Sequence, residues 1–370
     1  METPIRICVA SGIFPPDTGG PAKFAETFLG WGAKIGAKID CVSLTDDSTQ
    51  TINVRNSQIA LISRRQFLFL RYLATVKALV NKMNDGFVVL ANGLFLETWL
   101  AHILTRKPYV CKVPGDIVWE RATNRKLTEA DVSEFQSEST PLKYRLFRFL
   151  FTKSLQGASV VITPSIQLQD LCVQWGVRSE RIHLIHNSID TDKFSPHSQR
   201  KKYDVVVVNR LVPWKHVDEV IVACQDQSLS LLIIGDGPER QNLEEISKPL
   251  GNVSFVGQKT QDEIPKLMNE ARCFVLNSSF EATSYSLLEA RSMGLFCIAN
   301  AGTGSEEVVT HMVDGVLCGK TGISLSEALR IFKFDKSFVS QASKLARQNT
   351  QARFNMHLNY NAIYKLIGDL

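Results

Sequence analysis

Short, unbroken apolar runs recur along this chain, each followed by a longer stretch of helical character, and that alternation constrains the fold most. In the first half the runs are Ile5–Ala10, Lys38–Leu44, Phe87–Ala91, Tyr109–Val113 and Ser159–Ile162. In the second they are Tyr203–Asn209, Leu231–Ile234, Val253–Phe255, Cys273–Leu276 and Phe296–Ala299. A strand apolar at every position is buried on both faces, which calls for a parallel sheet with crossover helices on either side. The pattern predicts an α/β chain of two Rossmann-like, doubly wound parallel-sheet domains. The length, 370 residues, suits two to three domains at ~150 residues each. The polar stretch 189–202 before the Val205–Val208 run is the expected join, giving domains over 1–195 and 196–349. The segment from Ser337 onward reads as helix without a strand.

In open α/β sheets ligands bind beyond the carboxyl ends of the strands, so the loops there carry the candidates. After the first run, Gly19-Gly20 stands at a helix start, where backbone N–H groups can approach an anion. It is not the G-x-G-x-x-G of dinucleotide binders. Asn209-Arg-Leu-Val-Pro-Trp-Lys215 places two cations, Arg210 and Lys215, after the first run of the second half, spaced to converge on a diphosphate. Ile234-Gly-Asp-Gly-Pro238, which contains Gly235, reads mainly as a tight turn. In Asn277–Ala290, Glu281 follows a strand and Glu289 lies within a helix. Eight helical steps separate them by roughly 12 Å, beyond the ~5–9.5 Å of a carboxylate pair cleaving one glycosidic bond. That spacing suits carboxylates gripping two ends of an extended ligand. The N–H groups of Thr283, Ser284, Tyr285 and Ser286 between them are expected to open a helix toward an anion. In Lys112-Val-Pro-Gly-Asp116, Asp116 either faces a ligand or caps the next element, as does Glu120. His183 and His186 point to opposite faces if they share a strand, which disfavours a metal site. Gly319-Lys320-Thr321 lacks the first glycine of a P-loop, Asp314 standing in its place.

Composition narrows the class. Residues 1–195 carry 23 Lys and Arg against 18 Asp and Glu, and residues 196–370 carry 19 of each. The excess positive charge therefore sits in the first half, as expected for contact with an anionic partner. A net charge of +5 is too mild for a nucleic-acid binder. Eight scattered cysteines without a C-x-x-C pair fit a reduced compartment and buried thiols rather than zinc. No apolar stretch reaches the ~18–20 residues of a membrane span, and the first residues do not read as a secretory signal. A soluble, cytoplasmic protein is expected.

Taken together and in order, these motifs carry a family resemblance. The chain resembles a retaining glycosyltransferase of family 4 with the GT-B architecture, two Rossmann-like domains facing a central cleft. The matching motifs are Phe14–Gly20, Lys112–Asp116 with Trp119-Glu120, Ile185–Asp190, Asn209–Lys215, Ile234–Pro238, Phe255–Gly257 and Glu281 with Glu289. The resemblance implies that Arg210 and Lys215 neutralise the diphosphate of a nucleotide sugar, that Glu289 holds its ribose, and that Glu281 lies by the transferred sugar. It further places Gly19 and Gly20 at the distal phosphate, Gly235 and Gly257 among the donor contacts with Thr283, Ser284 and Tyr285, and Asp116 near the sugar and the acceptor. No metal or other cofactor is implied, and a helix over about 350–370 is expected to pack back on the first domain. Three positions depart from the family pattern. Ala282 replaces a glycine, Thr303-Gly304 stands for Gly-Gly, and Ser188 replaces another glycine.

The reaction implied is transfer of a hexosyl unit from a UDP- or GDP-sugar to an acceptor hydroxyl in polysaccharide or glycolipid assembly. Two cationic, aromatic-rich helices, Arg64–Tyr72 and Lys143–Phe151, fit either a core-facing role or a peripheral place on the anionic inner face of a membrane. The alternatives are a catalytically silent sugar-nucleotide-binding subunit, or a GT-B epimerase or phosphorylase.

Overall fold

The computed structural model describes residues 5–54, 56–249, 251–319 and 322–370. Lys320 and Thr321 of the discounted P-loop lie outside the described residues. The chain forms two units, and both sheets are doubly wound.

The first unit takes residues up to Glu120, Ser137–Ile185 and Tyr360–Leu370. Its strands are β1 (Arg6–Ser11), β2 (Lys38–Thr45), β3 (Gln50–Val54), β4 (Ser57–Ser63), β5 (Val88–Ala91), β6 (Tyr109–Lys112), β7 (Val160–Thr163) and β8 (Ile182–Leu184). They lie in the order β3-β4-β2-β1-β5-β6-β7-β8, with only β3 antiparallel to its neighbour among the described pairs. The helices are α1 (Gly20–Lys34), α2 (Leu68–Asn84), α3 (Phe95–Thr105), α4 (Ile117–Asn124), whose residues from Arg121 onward belong to the second unit, α5 (Leu142–Gln156) and α6 (Ile166–Gln174). Connections from β1 step one way along the sheet and those from β5 the other. Right-handed crossovers therefore put α1 on one face and α2, α3 and α5 on the opposite one.

The second unit takes Arg121–Gln136 and His186–Asn359. Its sheet, all parallel, runs β11 (Val253–Phe255), β10 (Leu231–Ile234), β9 (Tyr203–Val208), β12 (Ala271–Leu276), β13 (Phe296–Asn300), β14 (Val316–Cys318). Alternate residues feed two cores. Val205, Val207, Leu231, Ile233, Cys273 and Val275 enter one; Val206, Leu232, Ile234, Phe274 and Leu276 enter the other. That two-sided burial is why these strands read as continuous apolar runs. The helices are α7 (Val217–Asp226), α8 (Arg240–Ser247), α9 (Ile264–Met268), α10 (Tyr285–Ser292), α11 (Leu325–Phe334), α12 (Lys336–Arg353) and α13 (Met356–Gly368). Residues of α13 from Tyr360 onward belong to the first unit, where Tyr360 meets Phe24, Phe28 and Trp31 edge-on and its hydroxyl lies 2.6 Å from Thr27 Oγ1.

Four strands were not foreseen. β3 is an exposed edge with no apolar run, β4 mixes polar and apolar residues, and β8 and β14 are three residues each. The polar stretch 189–202 lies wholly in the second unit, because buried Phe194 anchors it in the second core and its carbonyl accepts from Ser292 Oγ at 2.6 Å. Asp314 also has a structural reason to replace a glycine. It forms a buried pair with Arg291 at 2.7 Å and accepts from Asn349 Nδ2 at 2.7 Å. Burial alone would raise its carboxyl's pKa, but these partners hold it below the usual carboxylate range.

Candidate active site

In the second unit the strand order reverses direction between β9 and β12, and the loops after these strands flank the crevice that such a switch point opens. The first loop, Asn209–His216, lies under the turn at Gly235–Gly237. Gly235 has φ +137°, and a Cβ there would fall 1.8 Å from the Asn209 carbonyl oxygen. Only glycine fits that approach. Gly235 N–H also donates to Gly257 O at 2.9 Å, so the two expected donor-loop glycines, after β10 and after β11, are joined backbone to backbone. Arg210 emerges exposed from this loop, and its side chain has no hydrogen bond or ion pair among the described residues. Lys215 closes a single 3-10 turn, Pro213–Lys215, and its Nζ forms an ion pair with Glu281 Oε1.

The second loop is tied to the first, Ser279 N–H donating to Trp214 O at 2.9 Å. Glu281 O accepts from Gly304 N–H at 2.8 Å, and a Cβ on Gly304 would sit 1.7 Å from Ala282 O. Of the Thr303-Gly304 pair, the second position is thus the one with no room for a side chain. Thr303 turns its hydroxyl to Asn300 O at 3.0 Å and caps the turn that follows, so its bulk lies off the loop. Asn187 Nδ2 holds the loop from another side, donating to Thr283 O at 2.8 Å.

Glu281 and Glu289 are not joined by eight helical steps, because α10 begins only at Tyr285 and Glu281–Ser284 is loop. Ser284 occupies the N-cap without giving its side chain to the first turn, its Oγ lying 3.1 Å from Ser286 Oγ. The helix therefore presents an N-terminus with no side-chain cap, carrying partial positive charge, between a carboxylate on the loop and one on the helix. Glu281 is mostly buried beside Lys215, and Glu289 is buried within α10.

Three small polar groups that the sequence reading passed over stand at the same edge. Asn209 Nδ2, Ser278 Oγ and Ser305 Oγ are buried atoms with no hydrogen-bond partner among the described residues. They follow β9, β12 and β13, which are adjacent strands. Buried polar atoms are normally satisfied, so these three leave hydrogen-bonding capacity at the crevice for water or a polar ligand. Asn209 and Ser278 stand just past apolar runs, whereas Ser305 lies six positions past Ala299.

In the first unit, the switch point lies between β1 and β5, and the two following loops touch: a Cβ on Gly93 would fall 2.7 Å from Gly12 N. Gly19, with φ +144°, is the N-cap of α1, and Gly20 opens that helix. Asn92 Nδ2 fixes the same turn by donating to Pro21 O at 3.1 Å. Lys112, at the end of β6, is buried with its Nζ 4.7 Å from the centre of the Phe24 ring. Burial pulls its pKa down to about 7. Asp116 takes the capping alternative. It is fully buried, its Oδ1 accepts from the Val118 and Trp119 N–H groups at 2.9 and 3.1 Å, and its Oδ2 pairs with Arg148 at 3.1 Å. Those contacts make it the anchor of α4 rather than an open carboxylate. His183 ends in β8, whereas His186 Nε2 lies 2.8 Å from Glu307 Oε2. Among the described residues no cluster of His, Cys, Asp or Glu is arranged to hold a metal ion. All eight cysteines are buried thiols, and burial pushes Cys8 up to about 12.

Known proteins match both units. Residues 19–193 match the family model described as Glycosyltransferase Family 4, and residues 188–350 the one described as Glycosyl transferases group 1. The putative glycosyltransferase EpsF of Bacillus subtilis (strain 168) is 26% identical over 219 residues, covering 50% of this chain and 55% of that protein. The chain spans about half the length of the curated relatives it matches first. The solved structure of Anabaena Alr3699/HepE with UDP and glucose superposes with a TM-score of 0.78 at 19% identity, over 99% of this chain and 100% of that one. Sucrose-phosphate synthase from Thermosynechococcus elongatus gives 0.82 at 18% identity, over 99% and 98%. At such identities the structural likeness is one of fold, the GT-B fold. With two family models running between them from residue 19 to residue 350, the chain belongs to the family 4 glycosyltransferases.

Proposed function

We propose that this protein transfers a hexosyl unit from a nucleotide diphosphate sugar, UDP- or GDP-linked, to an acceptor hydroxyl with retention of configuration. The observation that carries the reading is the second unit's switch point, where two loops tied to each other carry Arg210 and the Lys215–Glu281 pair, and α10, which follows the second loop, carries Glu289. Arg210 and Lys215 neutralise the leaving diphosphate, and the α10 N-terminus adds its partial charge. Lys215 then exchanges its carboxylate partner for phosphate, which leaves Glu281 beside the transferred sugar, where positive charge builds as the diphosphate departs. Glu289 holds the ribose. The chemistry so described uses no metal, since fixed cations already meet the developing negative charge.

The first unit's share is the acceptor, a glycan or a lipid-linked glycan in polysaccharide or glycolipid assembly. Its Gly19-Gly20 turn opens α1 toward an anion. Asp116 acts there by holding α4, as a positioning residue. Several matched proteins have names that fit such pathways, among them a lipopolysaccharide core glycosyltransferase of Rhizobium meliloti and an amylovoran biosynthesis glycosyltransferase of Erwinia amylovora.

The test is titration of UDP and GDP into the wild type and Lys215→Ala, followed by donor turnover with and without EDTA. Loss of one charge-assisted contact, about 1.5–3 kcal/mol, should weaken nucleotide binding by about ten- to a hundredfold. Unchanged affinity and turnover in the variant would remove the assignment. Turnover abolished by chelator and restored by Mg²⁺ or Mn²⁺ would defeat the metal-free chemistry. Nucleotide binding with no turnover of any donor would mark a silent subunit. The anomeric configuration of the product, read by NMR, decides retention.

A further inference from the structure

We propose that His186 is a positioning residue of the nucleotide site: through Glu307 it holds the turn on which the Glu281 loop rests. The main stretch of the second unit runs from His186 to Asn359, and its two ends are joined in a seam. Ile189 N–H donates to Phe354 O at 3.0 Å, and Met356 N–H donates to Ile189 O at 2.9 Å. Asn359 Nδ2 donates to the His186 carbonyl at 3.0 Å. Ile189 and Phe354 lie in the second core, so the seam is anchored from within.

Two consecutive side chains reach from this seam to the loops of the site. Asn187 takes the Thr283 carbonyl, in the loop after β12. His186 takes the turn after β13, its Nε2 lying 2.8 Å from Glu307 Oε2. A carboxylate only accepts, so the ring donates. With side chains 21% and 14% exposed, the pair escapes most of the solvent competition that makes surface contacts negligible. The C-terminal side of the seam supports both partners. Phe354 meets the imidazole edge-on with ring centres 5.5 Å apart, and Arg353 Nη2 donates to the Glu307 carbonyl at 3.0 Å.

Glu307 ends the turn Gly304–Glu307, and Gly304 opens it by donating its N–H to Glu281 O. The turn is thus fixed at one end on the Glu281 loop and at the other on the seam. Packing alone does not call for the His186 contact, because Ile189 and Phe354 already bury the seam and Thr303 already caps the turn. What the contact adds is a fixed distance between the seam and a loop with no slack, where a Cβ on Gly304 would sit 1.7 Å from Ala282 O. A shift of about 1 Å at such a place can cost about a hundredfold in rate. Linkage is reciprocal, so a nucleotide that orders the Glu281 loop also steadies the seam. The inference rests on the second unit's crevice being the nucleotide site.

The experiment is titration of UDP and GDP into the full chain as wild type, His186→Leu and His186→Gln, joined to amide hydrogen exchange of the wild type. His186→Leu removes the donor and should weaken nucleotide binding by about fivefold or more. Gln can place an amide N–H where the imidazole has its Nε2–H, so His186→Gln should stay within about twofold of the wild type, a rescue that lost ring packing would not give. In the wild type, nucleotide should slow exchange of the Ile189 and Met356 amides by about fivefold. α11, which packs in the other core, should not change. Leucine that binds as the wild type does, or glutamine as weak as leucine, overturns the proposal. So does slowing that is absent at the seam or equal in α11, which would mean general stabilisation. If His186→Leu does not fold, the glutamine variant and the wild-type exchange still decide. A wild type that binds neither nucleotide removes the site reading and this inference together, whereas nucleotide binding indifferent to His186→Leu removes the inference alone.

Discussion

The two units follow one plan and handle charge in opposite ways. Each is a doubly wound sheet with a switch point where glycines bring two loops together, Gly12 with Gly93 in the first and Gly235 with Asn209 in the second. In the second unit ionised groups gather at that point and partner one another, as Lys215 does with Glu281. In the first, the groups near the strand ends are buried and structural: Asp116 caps α4, and Lys112 lies over Phe24. The first unit instead exposes its cations on helix ends beside apolar side chains. Similar backbones thus leave the placement of charged side chains to the loops.

Glycine substitutions test this contrast most severely. Gly235→Ala drives a Cβ into the Asn209 carbonyl at a φ of +137°, and is expected to cost about 3 kcal/mol or more. Nucleotide binding should fall with it, because Arg210 rides on the displaced loop. Gly93→Ala, at φ +147° with backbone 2.7 Å away, should destabilise the first unit and leave nucleotide affinity within about twofold. Urea melts paired with nucleotide titration would show it; equal loss of affinity in both variants would break the distinction between units.

A second comparison lies inside the second unit. Glu289 is assigned to a part of the donor that does not change, so Glu289→Gln should raise donor KM more than it lowers kcat. Glu281→Gln should lower kcat by about a hundredfold without weakening nucleotide affinity, since it also frees Lys215 for the phosphate, as for a group that matters most in the transition state. The reverse pattern in steady-state kinetics would exchange the two roles.

The smallest effect expected is the pH response of Lys112. Its folded pKa is pulled from the ordinary lysine value of 10.5 to about 7 by burial. Between those values the unfolded chain holds a proton that the folded chain does not, so this group makes stability rise with pH. Below about 7 the cost of the buried charge is fully present, and above 10.5 it has vanished. Lys112→Met should therefore gain most over the wild type near pH 6, with the advantage shrinking toward pH 10. Urea midpoints across that range would reveal it. A constant difference would mean that Lys112 keeps its charge through an ionic partner.

Strands buried on both faces were legible because burial leaves an unbroken apolar run, as in Val205–Val208. β3 was not, since Gln50–Val54 is an exposed edge that needs only backbone pairing. The boundary near Ile185 was obscured because Phe194 anchors an otherwise polar stretch from within. At the site, the residue types after the strands were readable, but their partners were not. Lys215 and Glu281 are 66 positions apart, and no local pattern records such a pair. Asp116 carried both possibilities in sequence, and only Arg148 and the two N–H groups it accepts distinguish them.

The seat of Tyr360 has a consequence for how the protein is made. The first unit's sheet leaves the ribosome early, yet the ring that meets Phe24, Phe28 and Trp31 is translated only after the whole second unit. Until then the α1 face is an aromatic cleft open to water. A nascent chain must carry that adhesive surface through the synthesis of more than a hundred residues, a span in which a chaperone or a neighbouring nascent chain competes for the place of its own C-terminal helix.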